Sequence, residues 1–159
     1  MKSTGEAIGY DEKLPRALYK GLQASGMKLQ NYGTVVVTLA DEDKEEALPL
    51  VRRFYRLGFN IAATVGTAKF LKENGIRTHR LGKISEGSNE IPEIIRAGFV
   101  SYVINTRSIS SGIHNEDGAT IRRSATENGV TIFTSLDTVR IVVDVLEEMT
   151  IPVSTIDAK

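Results

Sequence analysis

Four groups of polar residues, spread over the middle of the chain, carry the side chains of an anion-binding site. One is the hydroxyl-rich turn Thr64-Val65-Gly66-Thr67 and another is Asn105-Thr106-Arg107; the remaining two are the lysines Lys44 and Lys83. Cationic side chains, hydroxyls and the N–H groups at the start of a helix all bind phosphate. Each group alone has an ordinary explanation, because a TxGT turn is commonly a helix cap and single lysines are commonly solvated.

The same segments offer no group suited to acid–base or thiol chemistry. The chain has no cysteine, which excludes thiolate nucleophiles and thiolate metal sites, and its two histidines, His79 and His114, are far apart. Both histidines are expected to be exposed and to take no part in the site. The nearest loop carboxylates, Glu86 and Asp117, are expected to lie on the surface or to cap helices. The residues therefore predict a site that holds an anion without transforming it.

The polar groups follow predicted strands of a parallel sheet. From Thr34 onward, β-branched runs alternate with runs at helical spacing, which predicts a doubly wound, five-stranded, mainly parallel α/β sheet. Ligands of such sheets bind at the carboxyl ends of the strands, so we expect the four groups to converge on one edge. The predicted strands are Thr34–Leu39, Phe59–Ala63, Ile76–Leu81, Phe99–Ile104 and Val130–Thr134.

Helices are predicted after each strand. The first contains Pro49, which predicts either a late start or a bend. Asn89 is predicted to cap the third helix. The third strand is more polar than the others, which predicts a position at the edge of the sheet. The later helices are predicted from about Thr67 to Asn74, from Asn89 to Gly98, from about Ala119 to Asn128, and over a last run that includes Val139 to Leu146.

Composition excludes several classes of protein. Among 159 residues, 20 Lys and Arg balance 20 Asp and Glu, so nothing overall predicts binding to nucleic acid or to an anionic membrane. No apolar run is long enough to span a bilayer, and the first ten residues lack the apolar stretch of a secretory signal. The chain is therefore predicted to be a cytoplasmic protein.

Five motifs, in order, make the chain resemble the C-terminal allosteric domain of the carbamoyl-phosphate synthase large subunit. They are STGE at Ser3–Glu6, GFNIAATVGTAKFLKENGI, LGKISEG, YVINTRS and IRRSATENGV. The resemblance implies the methylglyoxal-synthase-like fold, a Rossmann-like three-layer sandwich. It also implies that Met1 is an internal position of a longer polypeptide. Residues 1–32 would be the tail of a preceding ATP-grasp domain with a connecting helix, 33–150 the allosteric domain, and 151–159 a C-terminal tail.

The resemblance implies a non-catalytic regulatory domain of an enzyme of pyrimidine and arginine biosynthesis. Members bind uridine monophosphate (UMP) as inhibitor, and inosine monophosphate (IMP) or phosphoribosyl pyrophosphate as activator. The implied partners are the rest of the large subunit and the glutaminase small subunit, with oligomerisation of the full enzyme. No cofactor is implied for this domain, whereas the full enzyme would use ATP and Mg or Mn.

The resemblance also implies which residues bind the effector. The phosphate would lie at Thr64, Gly66 and Thr67, with Lys44 and Lys83 neutralising its charge.

The ribose and base would lie at Thr38, Asn105 and Thr106. Arg107 departs from the threonine of the best-known pattern, so we expect it to extend the site to a second phosphate and to favour a pyrophosphate-bearing activator. The segment Ile132-Phe133-Thr134 lacks an aromatic residue that the pattern has at position 132, which argues against regulation by ornithine.

Two alternatives stay open. One is methylglyoxal synthase, an enzyme of the same fold that eliminates phosphate from dihydroxyacetone phosphate. By this resemblance its two catalytic aspartates fall at about Ser88 and Ser108, where a serine hydroxyl without a partner cannot serve as a general base at neutral pH. The other is a ligand-free oligomerisation domain. For a regulatory domain, the moving parts are expected to be the loops Ile84–Ser88 and Thr106–Asp117.

Overall fold

The computed structural model describes residues 29–106 and 116–157, except for the side chains at 85, 116–117 and 150–157. The chain divides into two compact units, Tyr32–Leu136 and a second that combines Met1–Asn31 with Asp137–Lys159. The predicted connecting helix and the predictions for Arg107, Ser108 and His114 lie outside the described residues. None of the helices described is long and apolar enough to cross a membrane.

The unit Tyr32–Leu136 contains a five-stranded sheet in which every neighbouring pair is parallel. The strand order is β3-β2-β1-β4-β5, which confirms the doubly wound sheet and places β3 at an edge, as its polar pattern predicts. The strands are β1 Thr34–Thr38, β2 Asn60–Thr64, β3 Thr78–Leu81, β4 Val100–Asn105 and β5 Thr131–Phe133.

Helices follow the strands as predicted, with differences at their ends. Pro49 lies inside the first helix, which begins at Lys44, so the late start is wrong. Asn89 occupies the N-cap position of the third helix without a side-chain capping bond. The last helix continues to Asp157 and so includes most of the predicted C-terminal tail. The helices are α1 Lys44–Arg56, α2 Val65–Glu73, α3 Glu90–Arg96, α4 Glu116–Glu127 and α5 Leu136–Asp157, with 3-10 turns at Asp41–Asp43 and Ile84–Glu86.

Helices cover both faces of the sheet. Right-handed crossovers put α1 and α2 on one face and α3 and α4 on the other, because the chain reverses direction across the sheet after β3. Burial on both faces explains why the central strands are continuous apolar runs. On the α3–α4 face, one buried cluster contains Val36, Ala62, Val103, Ile91, Ile95, Ile121 and Ala125.

Aromatic rings fill the opposite face. Tyr102 of β4 is fully buried, and its ring centroid lies 5.8 Å from Phe54 of α1, 5.9 Å from Phe59 and 5.8 Å from Phe133. These separations are in the range of favourable aromatic pairs. The cluster therefore joins α1 to β4 and β5 across the sheet.

A β-bulge in β4 sets the register of the two central strands. Thr34 pairs with Val100, but Val35 pairs with Tyr102, so Ser101 is the extra residue. The Ser101 hydroxyl donates a hydrogen bond to the Tyr32 carbonyl. Gly33, with φ of 114°, lies against this side chain, and a Cβ on Gly33 would overlap Ser101 Oγ. The bulge thus depends on glycine at position 33.

We expect Gly33→Ala to lower the free energy of unfolding more than Gly58→Ala does. Both glycines have positive φ, 114° and 101°, so alanine adds strain of roughly 1–3 kcal/mol at either site. Only at Gly33 does the new Cβ also displace the Ser101 hydroxyl from its hydrogen bond, a further loss of about 1 kcal/mol. Urea unfolding of the two variants measures the difference.

The matched test uses the Ser101→Ala background. Removing the hydroxyl relieves the overlap, so the excess cost of Gly33→Ala over Gly58→Ala should shrink there. Equal losses for the two glycine variants in the unchanged chain would contradict the role given to Ser101.

Candidate functional site

Strand pairing aligns the predicted site residues along one edge of the sheet. Thr38, the last residue of β1, pairs with Asn105, the last residue of β4. Thr64, the last residue of β2, pairs with Leu81 at the end of β3. Val37 pairs with Ala63. The next residues of the two strands, Thr38 and Thr64, are therefore level with each other at the end of the sheet. Thr64, Thr38 and Asn105 therefore lie side by side on neighbouring strands at the carboxyl edge, as predicted from the strand ends.

The centre of this edge is where the strand order reverses. From β1 the chain proceeds to β2 and β3 on one side, and then crosses to β4 on the other. Helices diverge at such a point and leave a crevice, where ligands of open α/β sheets bind. Thr38 and Asn105 lie there, both buried, and Thr38 Oγ1 donates a hydrogen bond to Asn105 Oδ1 at 2.8 Å.

Two further threonines hold the loop that follows β1. The Leu39 N–H donates to Thr67 Oγ1 at 3.2 Å, and the Ala40 N–H donates to Thr106 Oγ1 at 3.0 Å. The Thr106 N–H in turn donates to the Thr38 carbonyl at 3.0 Å. Residues after β1, β2 and β4 are therefore tied together. Spacing alone does not predict these bonds, in which Thr67 and Thr106, both expected to bind the effector, use a hydroxyl oxygen to accept a backbone N–H.

The start of α2 has the properties of an anion site. Thr64 is its N-cap residue with an extended backbone but makes no side-chain capping bond, and its first turn holds no acidic residue. The N–H groups of that turn have no acceptor within the helix. A Cβ on Gly66 would lie 3.9 Å from Lys44 Nζ, which places the ammonium beside the turn. Ammonium and helix dipole therefore present positive charge to the same space.

Asp41 is the partner of Lys44 and was missed as a site residue. Asp41 Oδ1 lies 2.8 Å from Lys44 Nζ; the lysine side chain is 20% exposed, whereas the aspartate side chain is 93% exposed. The i,i+3 spacing could have predicted this pair. An exposed carboxylate contributes little to such a pair, so a more highly charged anion can replace it.

Lys83 lies at the same edge, beyond β3, at the start of a loop that is closed by its own hydrogen bonds. Its carbonyl accepts from the N–H groups of Glu86 and Ser88. The Gly82 N–H donates to Glu90 Oε1 at 2.7 Å, and the Glu90 N–H donates to Ser88 Oγ at 3.2 Å. Ser88 and Glu90 therefore fix the loop that carries Lys83. The Ser88 hydroxyl oxygen, which accepts the Glu90 N–H, therefore provides the cap predicted for Asn89.

The remaining residues named in the predictions lie away from the carboxyl edge or outside the described residues. His79 is an exposed residue of β3 that pairs with Ala62, away from the strand ends. Arg107 lies directly after Thr106, in the part of the chain that the structure does not describe. In the described residues, no cluster of three or more histidine, aspartate or glutamate side chains could hold a metal ion.

Comparison with known proteins identifies the fold. The family model for the MGS-like domain matches residues 46–134. The structure is similar to the crystal structure of methylglyoxal synthase from Elizabethkingia anophelis NUHP1, with a TM-score of 0.60 and 18% sequence identity, over 72% of this chain and 79% of that one. At this identity the likeness shows a common fold. Together with the five parallel strands and their covering helices, the family match shows that the chain belongs to the MGS-like domain family.

Proposed function

We propose that this MGS-like domain binds a phosphorylated small molecule at the carboxyl edge of its sheet and regulates a carbamoyl-phosphate synthase large chain. The observation that carries the proposal is the position of Lys44 Nζ beside Gly66, at a helix start without a side-chain cap. The effector would be UMP as inhibitor, or IMP or phosphoribosyl pyrophosphate as activator, in accord with the five motifs.

The phosphate has a defined place in this proposal. Helix α2 has nine residues, and the N–H groups of its first turn lie at the end of the helix where Lys44 Nζ approaches Gly66. A phosphate there would accept hydrogen bonds from the backbone and from the ammonium together. Lys83, which follows the end of the neighbouring strand β3, would add a second positive charge.

The nucleoside would extend from this turn toward the centre of the edge. Thr38 and Asn105 end the adjacent strands and bring a hydroxyl and an amide to the crevice. Such groups recognise sugar hydroxyls and the polar edge of a base. Thr106 follows directly, and Arg107 after it would meet a second phosphate.

The residues at the edge support binding more than catalysis. Elimination of phosphate from dihydroxyacetone phosphate requires a carboxylate base beside the substrate carbonyl. Ser88 stands at one of the two positions expected of the catalytic aspartates, and its Oγ accepts a hydrogen bond from the Glu90 N–H. The Glu90 carboxylate accepts the Gly82 N–H, and Asp41 pairs with Lys44. The Glu90 carboxylate therefore holds its loop, and the exposed Asp41 carboxylate is the group that a phosphate would replace at Lys44.

Methylglyoxal synthase is the second candidate function. The fold similarity to the Elizabethkingia anophelis enzyme favours it as much as it favours a regulatory domain. Both functions need a phosphate site at the same edge, so they differ in the base and not in the place of binding.

Regulation requires that the ligand bind two conformations with different affinity. The coupling would be on the order of 1–3 kcal/mol. We propose that the loops Ile84–Ser88 and Thr106–Asp117 are the moving parts; the first follows Lys83 and turns on Gly87, whose φ is 89°. The rest of the large subunit and the glutaminase subunit would receive the change, while ATP and Mg or Mn belong to the full enzyme.

We expect Lys44→Gln to weaken UMP binding about 10-fold or more, because it removes a charge-assisted hydrogen bond to the phosphate. Lys69→Gln is the matched control: it removes the same charge from an exposed position of α2, beyond the first turn. It should change affinity less than about 2-fold, since that charge does not face the site. Calorimetric titration with UMP and with phosphoribosyl pyrophosphate measures both.

Uridine should bind much more weakly than UMP, since it lacks the phosphate. Equal affinity for uridine and UMP, or equal losses in the two lysine variants, would contradict a phosphate at Lys44. Failure of every phosphorylated compound to bind would leave a site that forms only with the rest of the large subunit, or the ligand-free oligomerisation domain.

We expect dihydroxyacetone phosphate to compete with UMP without being converted. The carboxyl edge offers it a phosphate site, but Ser88 supplies no base. Trapping of methylglyoxal with a hydrazine reagent tests this directly. Formation of methylglyoxal that Lys44→Gln slows and Lys69→Gln does not would establish the enzyme in place of the regulatory domain.

A further inference from the structure

The sheet has a second concave region at its amino edge, opposite the proposed phosphate site. A cavity of about 370 Å³ is bordered by Thr34 and Asn60, the first residues of β1 and β2. The last residues of the same strands, Thr38 and Thr64, lie at the carboxyl edge. Four steps along a strand separate the two edges by roughly 13 Å. The cavity is thus separate from the phosphate site.

The walls of the cavity are largely aromatic and aliphatic. Tyr55 from the end of α1 and Phe99 from the segment before β4 line it, with Phe59, Ile61 and Ile94. Phe99 is 65% exposed and Tyr55 is 37% exposed. Exposure of large aromatic side chains to water is unfavourable in free energy. Concave surfaces lined by such side chains commonly bind ligands.

In the part of the chain that the structure describes, the lining carries Arg77 as its charged side chain, beside His79 and Tyr55, and includes no carboxylate. In the described part of the chain, neither Arg77 nor His79 makes an ion pair or a side-chain hydrogen bond. The C-terminal ends of α1 and α3 have their own arginines, Arg56 and Arg96, in the last turn. Arg77 is therefore not needed to balance those helix dipoles.

We propose that this cavity binds a small aromatic carboxylate. The flat ring would lie against Tyr55 and Phe99, and the carboxylate would pair with the Arg77 guanidinium, which forms two parallel hydrogen bonds with such a group. The volume lies in the range of small-molecule sites. Thr34 and Asn60 add neutral polar groups that orient a bound molecule.

Amide NMR spectra of the full 159-residue chain test the proposal with two probes of the same ring. These are 2-naphthoate and its neutral counterpart, 2-naphthalenemethanol. We expect 2-naphthoate to shift the amides of Asn60, Ile61 and His79, and to bind about 10-fold more tightly than the alcohol, because only the carboxylate pairs with Arg77.

Two arginine variants separate the specific pair from general charge. Arg77→Gln should abolish the preference for 2-naphthoate over the alcohol. Arg80→Gln is the matched control, since Arg80 lies on β3 and is exposed, as Arg77 is, but does not line the cavity. It should leave the preference unchanged.

Phe99→Ala gives a second, independent test. The side chain is mostly exposed, so its loss should not unfold the chain, yet both probes should bind more weakly without the ring. Equal effects of Arg77→Gln and Arg80→Gln would overturn the proposal. So would probe-induced shifts confined to Gly66 and Thr67, which would place the carboxylate at the phosphate edge.

Discussion

The pairing of β1 with β4 is the constraint on which the rest of the sheet edge depends. Without the extra residue Ser101, Thr38 would pair with Ile104 instead of Asn105. A shift of one residue in a strand also reverses the faces of its side chains. The bulge therefore brings a buried amide to the point where the strand order reverses, and Gly33 allows the bulge by leaving room for the Ser101 side chain.

The carboxyl edge is a connected set of hydrogen bonds as well as a row of strand ends. The segment after β1 is held by Thr67 at the start of α2 and by Thr106 after β4. A ligand that displaces the first turn of α2 would therefore also act on the segment after β1, which is hydrogen-bonded to Thr106. This network joins the first turn of α2 to the ends of β1 and β4, so it would couple a ligand bound at that turn to both strand ends.

The two edges of the sheet differ in the chemistry they offer. At the carboxyl edge, an ammonium and backbone N–H groups surround a glycine turn, which suits a compact, highly charged anion. At the amino edge, aromatic walls flank Arg77, which suits an apolar body with one charge. Regulatory and enzymatic members of one fold could share the first edge and differ only in whether a carboxylate base stands beside it.

Local patterns in the sequence determined the five strands, the edge position of β3 and the placing of Lys44, Gly66 and Thr38 at one edge. These follow from burial periodicity and from the parallel topology, which are properties of short segments. The bulge at Ser101, the bonds from Leu39 and Ala40 to threonine hydroxyls, and the amino-edge cavity were decided only by the tertiary structure. Each depends on contacts between residues far apart in the chain, whose register and distance no local spacing specifies.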